Sequence, residues 1–216
     1  MSNYSSSKRL QNDIASHEEN SDRHISPDMY YVVSIRLGAT VLEDANINTF
    51  VKNMLKTRKT HRALVAYVYE NEIHLLFSSV EGREHYAKGS HHAVCSEYAS
   101  LLAMEFECMV DVKITELESR TLILIYFQTK VYDNAKKSAQ KLSNGNITKK
   151  EISQFTFGET IPALRDRCGV IWDKIPPGTR FGTFYKYECE PKEKFIVISE
   201  FINPQDMDKY TSYFFE

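Results

Sequence analysis

The sequence predicts an α+β domain built on a mostly antiparallel sheet. Three observations carry this expectation. Residues 29–37 form a β-branched and aromatic run. Two apolar runs, 63–69 and 73–79, are separated only by Glu70, Asn71 and Glu72, the spacing of a tight hairpin. Residues 46–56 place Ile47, Phe50, Val51, Met54 and Leu55 at i, i+3, i+4, i+7 and i+8, one stripe on a helix.

The chain has 216 residues, enough for one sizeable core. Residues 1–27 are rich in Ser, Asn, Asp and Glu and nearly empty of apolar residues, so a disordered N-terminal arm is expected there. Residues 28–216 are expected to form a single domain. Hydrophobic residues make up 42% and charged residues 26%, ordinary values for a globular protein. The formal net charge of -2 argues against a general basic field, although a local patch suffices to hold a nucleic acid. No apolar run approaches the ~18 residues of a membrane span, and the N-terminus lacks the apolar region of a secretory signal. Cys95, Cys108, Cys168 and Cys189 fit neither a zinc nor a CxxC spacing. They read as reduced thiols of an intracellular protein, cytoplasmic or nuclear, with no membrane partner.

The elements follow in order. Met29 to Leu37 is a strand, and Gly38 ends it. The helix over 46–56 runs into a basic stretch, and the hairpin follows. A long helix is expected over 89–106, with Val94, Tyr98, Leu101 and Leu102 on one face. VDVKITELE and RTLILIYF are two further strands. Val131, Ala135, Ala139 and Leu142 then mark a helix with a small-residue stripe, closed by Asn144-Gly145. Short helices are expected over 148–157 and 161–167. GVIWDKIPPGTR is turn-rich, FGTFYKYE is a strand, PKEK is a turn and FIVISEFI is the last strand.

At the hairpin the sequence resembles a known family. Residues 66–77, AYVYENEIHLLF, are similar to the tRNA-histidine guanylyltransferase signature, approximately Ala-Tyr-Gly-Gln-Ser-Asp-Glu-Tyr-Ser-Phe-Val-Phe. Ala66, Tyr67, Glu72 and Phe77 coincide with it. MYYVVSIRLGA resembles the family's first strand, which ends Ile-Asp-Gly-Arg-Gly-Phe. Residues 99–106, ASLLAMEF, resemble the end of its long helix. Gly169-Val170-Ile171-Trp172, Ile175-Pro176, and Arg180, Gly182 and Thr183 resemble its C-terminal segment. The matches are collinear over 29–187. The resemblance implies a palm-like, mostly antiparallel sheet with helices packed on one face. It also implies addition of a nucleotide to an RNA 5′ end, in the 3′-to-5′ direction.

That chemistry needs two Mg²⁺ ions held by carboxylates on neighbouring strands. The resemblance places one Asp at the end of the first strand and another in the hairpin. Here those positions read Arg36 and Asn71. Glu70 and Glu72 flank Asn71 as possible substitutes, or are solvated turn carboxylates. Glu43 and Asp44 are the other candidates, or a charge cluster at a helix start. Arg36 either binds phosphate or RNA backbone directly, or points to solvent. Mg²⁺ is therefore expected only if the protein is active, and no catalytic residue or metal ligand is assigned.

Two basic clusters are candidate nucleotide or RNA sites. Lys130, Asn134, Lys137 and Lys141 share one helix face at i, i+4, i+7 and i+11, with Asp133 and Lys136 beside it. By resemblance, Lys130 and Asp133 match the family's Arg and Asp on a helix that contacts phosphates. Lys52, Lys56, Arg58, Lys59, His61 and Arg62 form the denser cluster. Each is equally a solvated face. Adjacent His91 and His92 point apart, which disfavours a shared metal, and His74 lies in a strand. The sequence thus suggests a divergent guanylyltransferase-like protein that binds RNA, in particular tRNA, or a nucleoside triphosphate, with catalysis uncertain or lost. The alternative is a non-catalytic subunit, a homo- or hetero-oligomer scaffold whose aromatic tail, Tyr-Thr-Ser-Tyr-Phe-Phe, is a contact surface.

Overall fold

In this computed structural model, which describes residues 25–26, 28–38, 44–56, 63–78, 90–188, 194–200 and 207–215, the β-branched run forms β1 (Tyr30–Leu37). The hairpin follows as β2 (Val65–Tyr69) and β3 (Glu72–Phe77). Tyr69 pairs with Glu72, so the turn holds only Glu70 and Asn71. Glu72, expected in the turn, is instead the first residue of β3. Glu70 adopts φ 52, the positive sign that a two-residue hairpin turn requires of its first central residue. With β4 (Val110–Leu117), β5 (Thr183–Glu188) and β6 (Lys194–Ile198), the six-stranded sheet has the order β4-β1-β3-β2-β5-β6. β1 is antiparallel to both β3 and β4, and β2 to β3. The class is α+β. The PKEK turn lies outside the described residues up to Lys194, which begins β6.

The chain divides into two compact units, Met1–Ile123 with Tyr185–Ile196, and Leu124–Phe184 with Val197–Glu216. In the first, α1 (Asp44–Lys56) and α2 (His91–Phe106) pack on one face of the sheet. Ile47, Phe50, Val51 and Leu55 meet Val94, Tyr98, Leu102 and Phe106 there. Val33, Ile35, Leu37, Ile73 and Leu75 supply the sheet side, alternating along each strand as the pleat requires. Each such large apolar side chain contributes roughly 1.5–3 kcal/mol. Leu101 departs from expectation and is 46% exposed. The buried row 94, 98, 102, 106 drifts around the helix at each four-residue step, so by residue 102 it has turned away from Leu101. Ile25, inside the segment expected to be disordered, is buried in this core. Residues 1–24 and 27 lie outside the described residues.

α3 (Arg120–Leu142) overturns one expectation. RTLILIYF, which local propensity assigns to a strand, opens this helix. Ser119 Oγ accepts from Leu122 N at 3.2 Å and caps it. Ile123, Phe127, Val131, Ala135 and Ala139 are all fully buried at four-residue steps, so one row runs from the supposed strand into the small-residue stripe. Strand propensity is weak where an apolar row fits a helix equally well.

The second unit continues with α4 (Lys149–Gln154) and α5 (Phe157–Cys168). Each starts with a reciprocal capping box, Thr148 with Glu151 and Thr156 with Glu159. Gly169 ends α5 at φ 68. A 3-10 turn (Trp172–Lys174) and α6 (Pro177–Phe181) fill the turn-rich segment. The aromatic tail is a helix, α7 (Met207–Phe215). Tyr210 and Phe214 are buried, and Phe214 stacks on Phe127 at 5.1 Å. Among the described residues no helix is long and apolar enough to cross a membrane.

Candidate functional site

The end of β1 and the start of β3 bring Arg36 and Glu72 into register. Arg36 Nη2 lies 3.1 Å from Glu72 Oε1. The opposite neighbour of Arg36 in the ladder is Asp111, which is exposed. Side chains two residues apart share a face, so Glu72 and His74 follow one another on the side of Ser34 and Arg36. Glu72 Oε2 is 3.9 Å from His74 Nε2, and Ser34 Oγ is 3.0 Å from His74 Nδ1. His74 is buried, while the Arg36 side chain keeps 65% of its surface.

Asn71 is bound differently. Its Nδ2 donates to the Leu37 carbonyl oxygen at 2.6 Å, and Leu37 N donates to the Asn71 carbonyl at 2.9 Å. A carboxylate in that place has no hydrogen to donate and would face the carbonyl oxygen with a negative charge. Asn71 therefore stitches the hairpin turn to the end of β1.

This donor set does not fit a pair of magnesium ions. Mg²⁺ takes oxygen ligands in a near-octahedral array. Arg36 offers none and repels a cation, and the Asn71 amide is turned to the Leu37 backbone. Glu72 already has one carboxylate oxygen on a guanidinium. Glu70 is exposed on the turn. Glu43 lies outside the described residues, and Asp44 begins α1. Among the described residues, no group of three or more His, Cys, Asp or Glu is placed to hold a metal. Asp111, beside Arg36, was not legible as a site residue, because only the β1–β4 register reveals it.

The basic face of α3 is only partly as expected. Lys137, Lys141 and Asp133 are exposed and Lys130 is half-buried, its Nζ over the Tyr126 ring at 5.1 Å. Asn134 is 1% exposed, so it does not belong to the solvent-facing row. Lys136 reaches Ser153 O at 3.4 Å. Arg58, Lys59, His61 and Arg62 lie outside the described residues. Lys52 and Lys56 in α1 place their ammonium groups 5.6 and 5.3 Å from the Phe195 ring.

His91 is buried and bound through Nε2 to Glu116 Oε1 at 2.8 Å, while His92 is exposed. Ser26 N donates to the other oxygen of Glu116 at 2.9 Å. Glu116 on β4 thus joins the start of α2, through His91, to Ser26 of the N-terminal segment. Burial, with help from Asp111, pushes the Cys95 thiol above its ordinary value, the opposite of an activated nucleophile. Cys95, Cys108 and Cys168 are free, and Cys189 lies outside the described residues. Arg180, in the Arg-Gly-Thr segment, binds Asp173 at 3.2 Å and lies over the rings of Trp172 and Phe181.

No protein-family model matches the chain, and no curated protein matches it in sequence. Solved structures do. A bacterial tRNA(His) guanylyltransferase (Thg1)-like protein in complex with ATP superposes with a TM-score of 0.68 at 14% identity, covering 97% of this chain and 99% of that one. The same kind of protein in complex with GTP gives 0.62 at 14% identity, covering 98% and 100%. The tRNA(His) guanylyltransferase of Saccharomyces cerevisiae gives 0.48 at 15% identity, covering 88% and 97%. At such identity the two bacterial structures show the fold alone. The chain has the fold of tRNA(His) guanylyltransferase-like proteins over nearly its whole length, as the collinear motifs imply.

Proposed function

We propose that this chain is a nucleotide- and RNA-binding relative of the tRNA(His) guanylyltransferases that does not perform two-metal nucleotidyl transfer. One observation carries the reading. The two positions where the family resemblance calls for metal-binding carboxylates hold a guanidinium paired with Glu72 and an amide that donates to a backbone carbonyl.

Phosphoryl chemistry asks the site to grip the triphosphate and to stabilise the charge that develops on it. Two divalent ions do both, and they also acidify the attacking oxygen. The exposed Arg36 guanidinium does only the first. Its planar fork can bind a phosphate, and Glu72 keeps it at the strand end. A purine nucleoside triphosphate is the first ligand this reading takes, since the bacterial structures of this fold hold ATP and GTP. Lys130, Lys137 and Lys141 on α3 supply a phosphate-tracking row for an RNA such as tRNA.

The test is incubation of the purified protein with Mg²⁺, labelled GTP and 5′-triphosphorylated or activated tRNA, alongside RNA binding at several salt concentrations. Salt-dependent binding without labelled product is expected. Robust labelled product overturns the reading.

A second reading is a protein-interaction subunit, and it draws on the exposed Leu101, Met104 and Met109 of the first unit. A stable protein complex with no salt-sensitive RNA binding favours it over the first.

A further inference from the structure

We infer that the outer edge of β4 is a self-pairing surface, through which two copies of this chain join antiparallel about a two-fold axis at Val112. No described strand lies beyond β4, which ends the sheet order. An edge strand presents a row of backbone donors and acceptors that another strand can take up.

The register says which residues present that row. Gly38 N donates to Met109 O at 2.7 Å, which continues the β1–β4 ladder by one hydrogen-bonded pair. Hydrogen-bonded and non-hydrogen-bonded pairs alternate along an antiparallel ladder. Met109, Asp111 and Lys113 therefore turn their backbone groups toward β1, whereas Val110, Val112 and Ile114 turn theirs outward.

A two-fold axis at Val112 matches these outward groups with themselves. Val112 pairs with Val112 of the second copy, and Val110 with Ile114 of the second copy, in both directions. Asp111 then falls opposite Lys113 of the second copy, and Lys113 opposite Asp111. Both side chains are exposed. Both contacts occupy non-hydrogen-bonded pairs, where facing side chains approach most closely. An axis at Ile114 would instead set Lys113 against Thr115 and Asp111 against Leu117. Only the Val112 register is charge-complementary to itself within the strand.

The flank of the strand agrees with an apolar seam. Val110 and Val112 are half-buried at the edge. Ala99, Ser100, Ala103 and Met109 line an open groove beside them. Met109 is 85% exposed, and Met104 on α2 is 83% exposed. Small residues in the groove leave room for a neighbour, and the exposed methionines offer adaptable apolar contact.

Sedimentation velocity of the full chain over a wide concentration range reads the dimer directly. Asp111→Lys and Lys113→Asp each set like charges opposite one another, and each weakens the dimer on the order of tenfold. An equimolar mixture of the two variants places opposite charges in both contacts and restores it. A role in folding alone gives no such rescue in trans. Val112→Pro removes an outward N–H that β1 does not use, so circular dichroism stays native while the dimer is lost. A wild-type chain that is monomeric throughout overturns the inference, whether its own N-terminal residues or another partner covers the edge. A dimer indifferent to both charge reversals, or a mixture that does not recover, overturns it equally.

Discussion

Asn71 and Leu37 exchange two hydrogen bonds, one from the Asn71 side-chain amide at 2.6 Å and one back to the Asn71 carbonyl at 2.9 Å. The hairpin turn and the end of β1 are thereby fixed by protein groups, at the point where a guanylyltransferase-like site would use metal ions. Asn71→Asp replaces the donor with a carboxylate facing a carbonyl oxygen. The expected loss is about 1–3 kcal/mol of stability in metal-free buffer, read from urea unfolding. An unchanged midpoint would show that the amide bond does not matter.

On the proposed reading, Arg36, paired with Glu72 at the end of β1, is the cation that takes the phosphate. Arg36→Ala should weaken GTP binding by about tenfold or more, since a hydrogen bond to a charged group contributes ~1.5–3 kcal/mol. Isothermal titration in the absence of divalent ions measures it. Unaltered affinity places the nucleotide elsewhere.

On the proposed reading, the α3 lysines act through long-range attraction to RNA phosphates. Replacing Lys137 or Lys141 with Ala should lower the slope of log affinity against log salt by about 0.7 each for a single-stranded contact. Filter binding over a salt series supplies the slopes. Asn134→Ala is expected to act differently, because that residue is buried: it should lower stability and leave the slope alone.

Glu151 gives a pH dependence. Its hydrogen bond from Arg167, and then those from Thr148, push its carboxyl down from 4.5 to about 2. A depressed carboxylate stabilises the fold when ionised, so the contribution is full above pH 4.5 and is lost as pH falls toward 2. Urea midpoints of the wild type and Glu151→Gln should differ above that window and converge below it. A gap that stays constant across the window contradicts the assignment.

Much of the first unit was legible because its elements obey one period each. Tyr31, Val33 and Ile35 alternate, and Ile47, Val51 and Leu55 step by four, so pattern alone identifies a strand and a helix. The turn was read one residue too long because Glu72 is polar, yet it pairs with Tyr69 in the ladder. RTLILIYF was ambiguous: its residues suit a strand, and only Ser119 as a cap, with Phe127 four residues before Val131, signalled a helix. The C-terminal helix carried a similar faint signal in Tyr210 and Phe214, one turn apart. At the candidate site, Arg36 and Asn71 were singled out from the resemblance alone. Their partners were not. Pairing Arg36 with Glu72 and Asp111 depends on registers between strands distant in the chain, which composition and spacing do not set.

An ion pair and an amide, not a set of carboxylates, hold this strand end. Crystals soaked with Mn²⁺ and GTP test it most directly through anomalous scattering. The account predicts no manganese peak beside Asn71 and Glu72, with the Arg36–Glu72 pair intact. A manganese ion coordinated there by Glu72 or Asp111, with the triphosphate bound to it, would contradict the account.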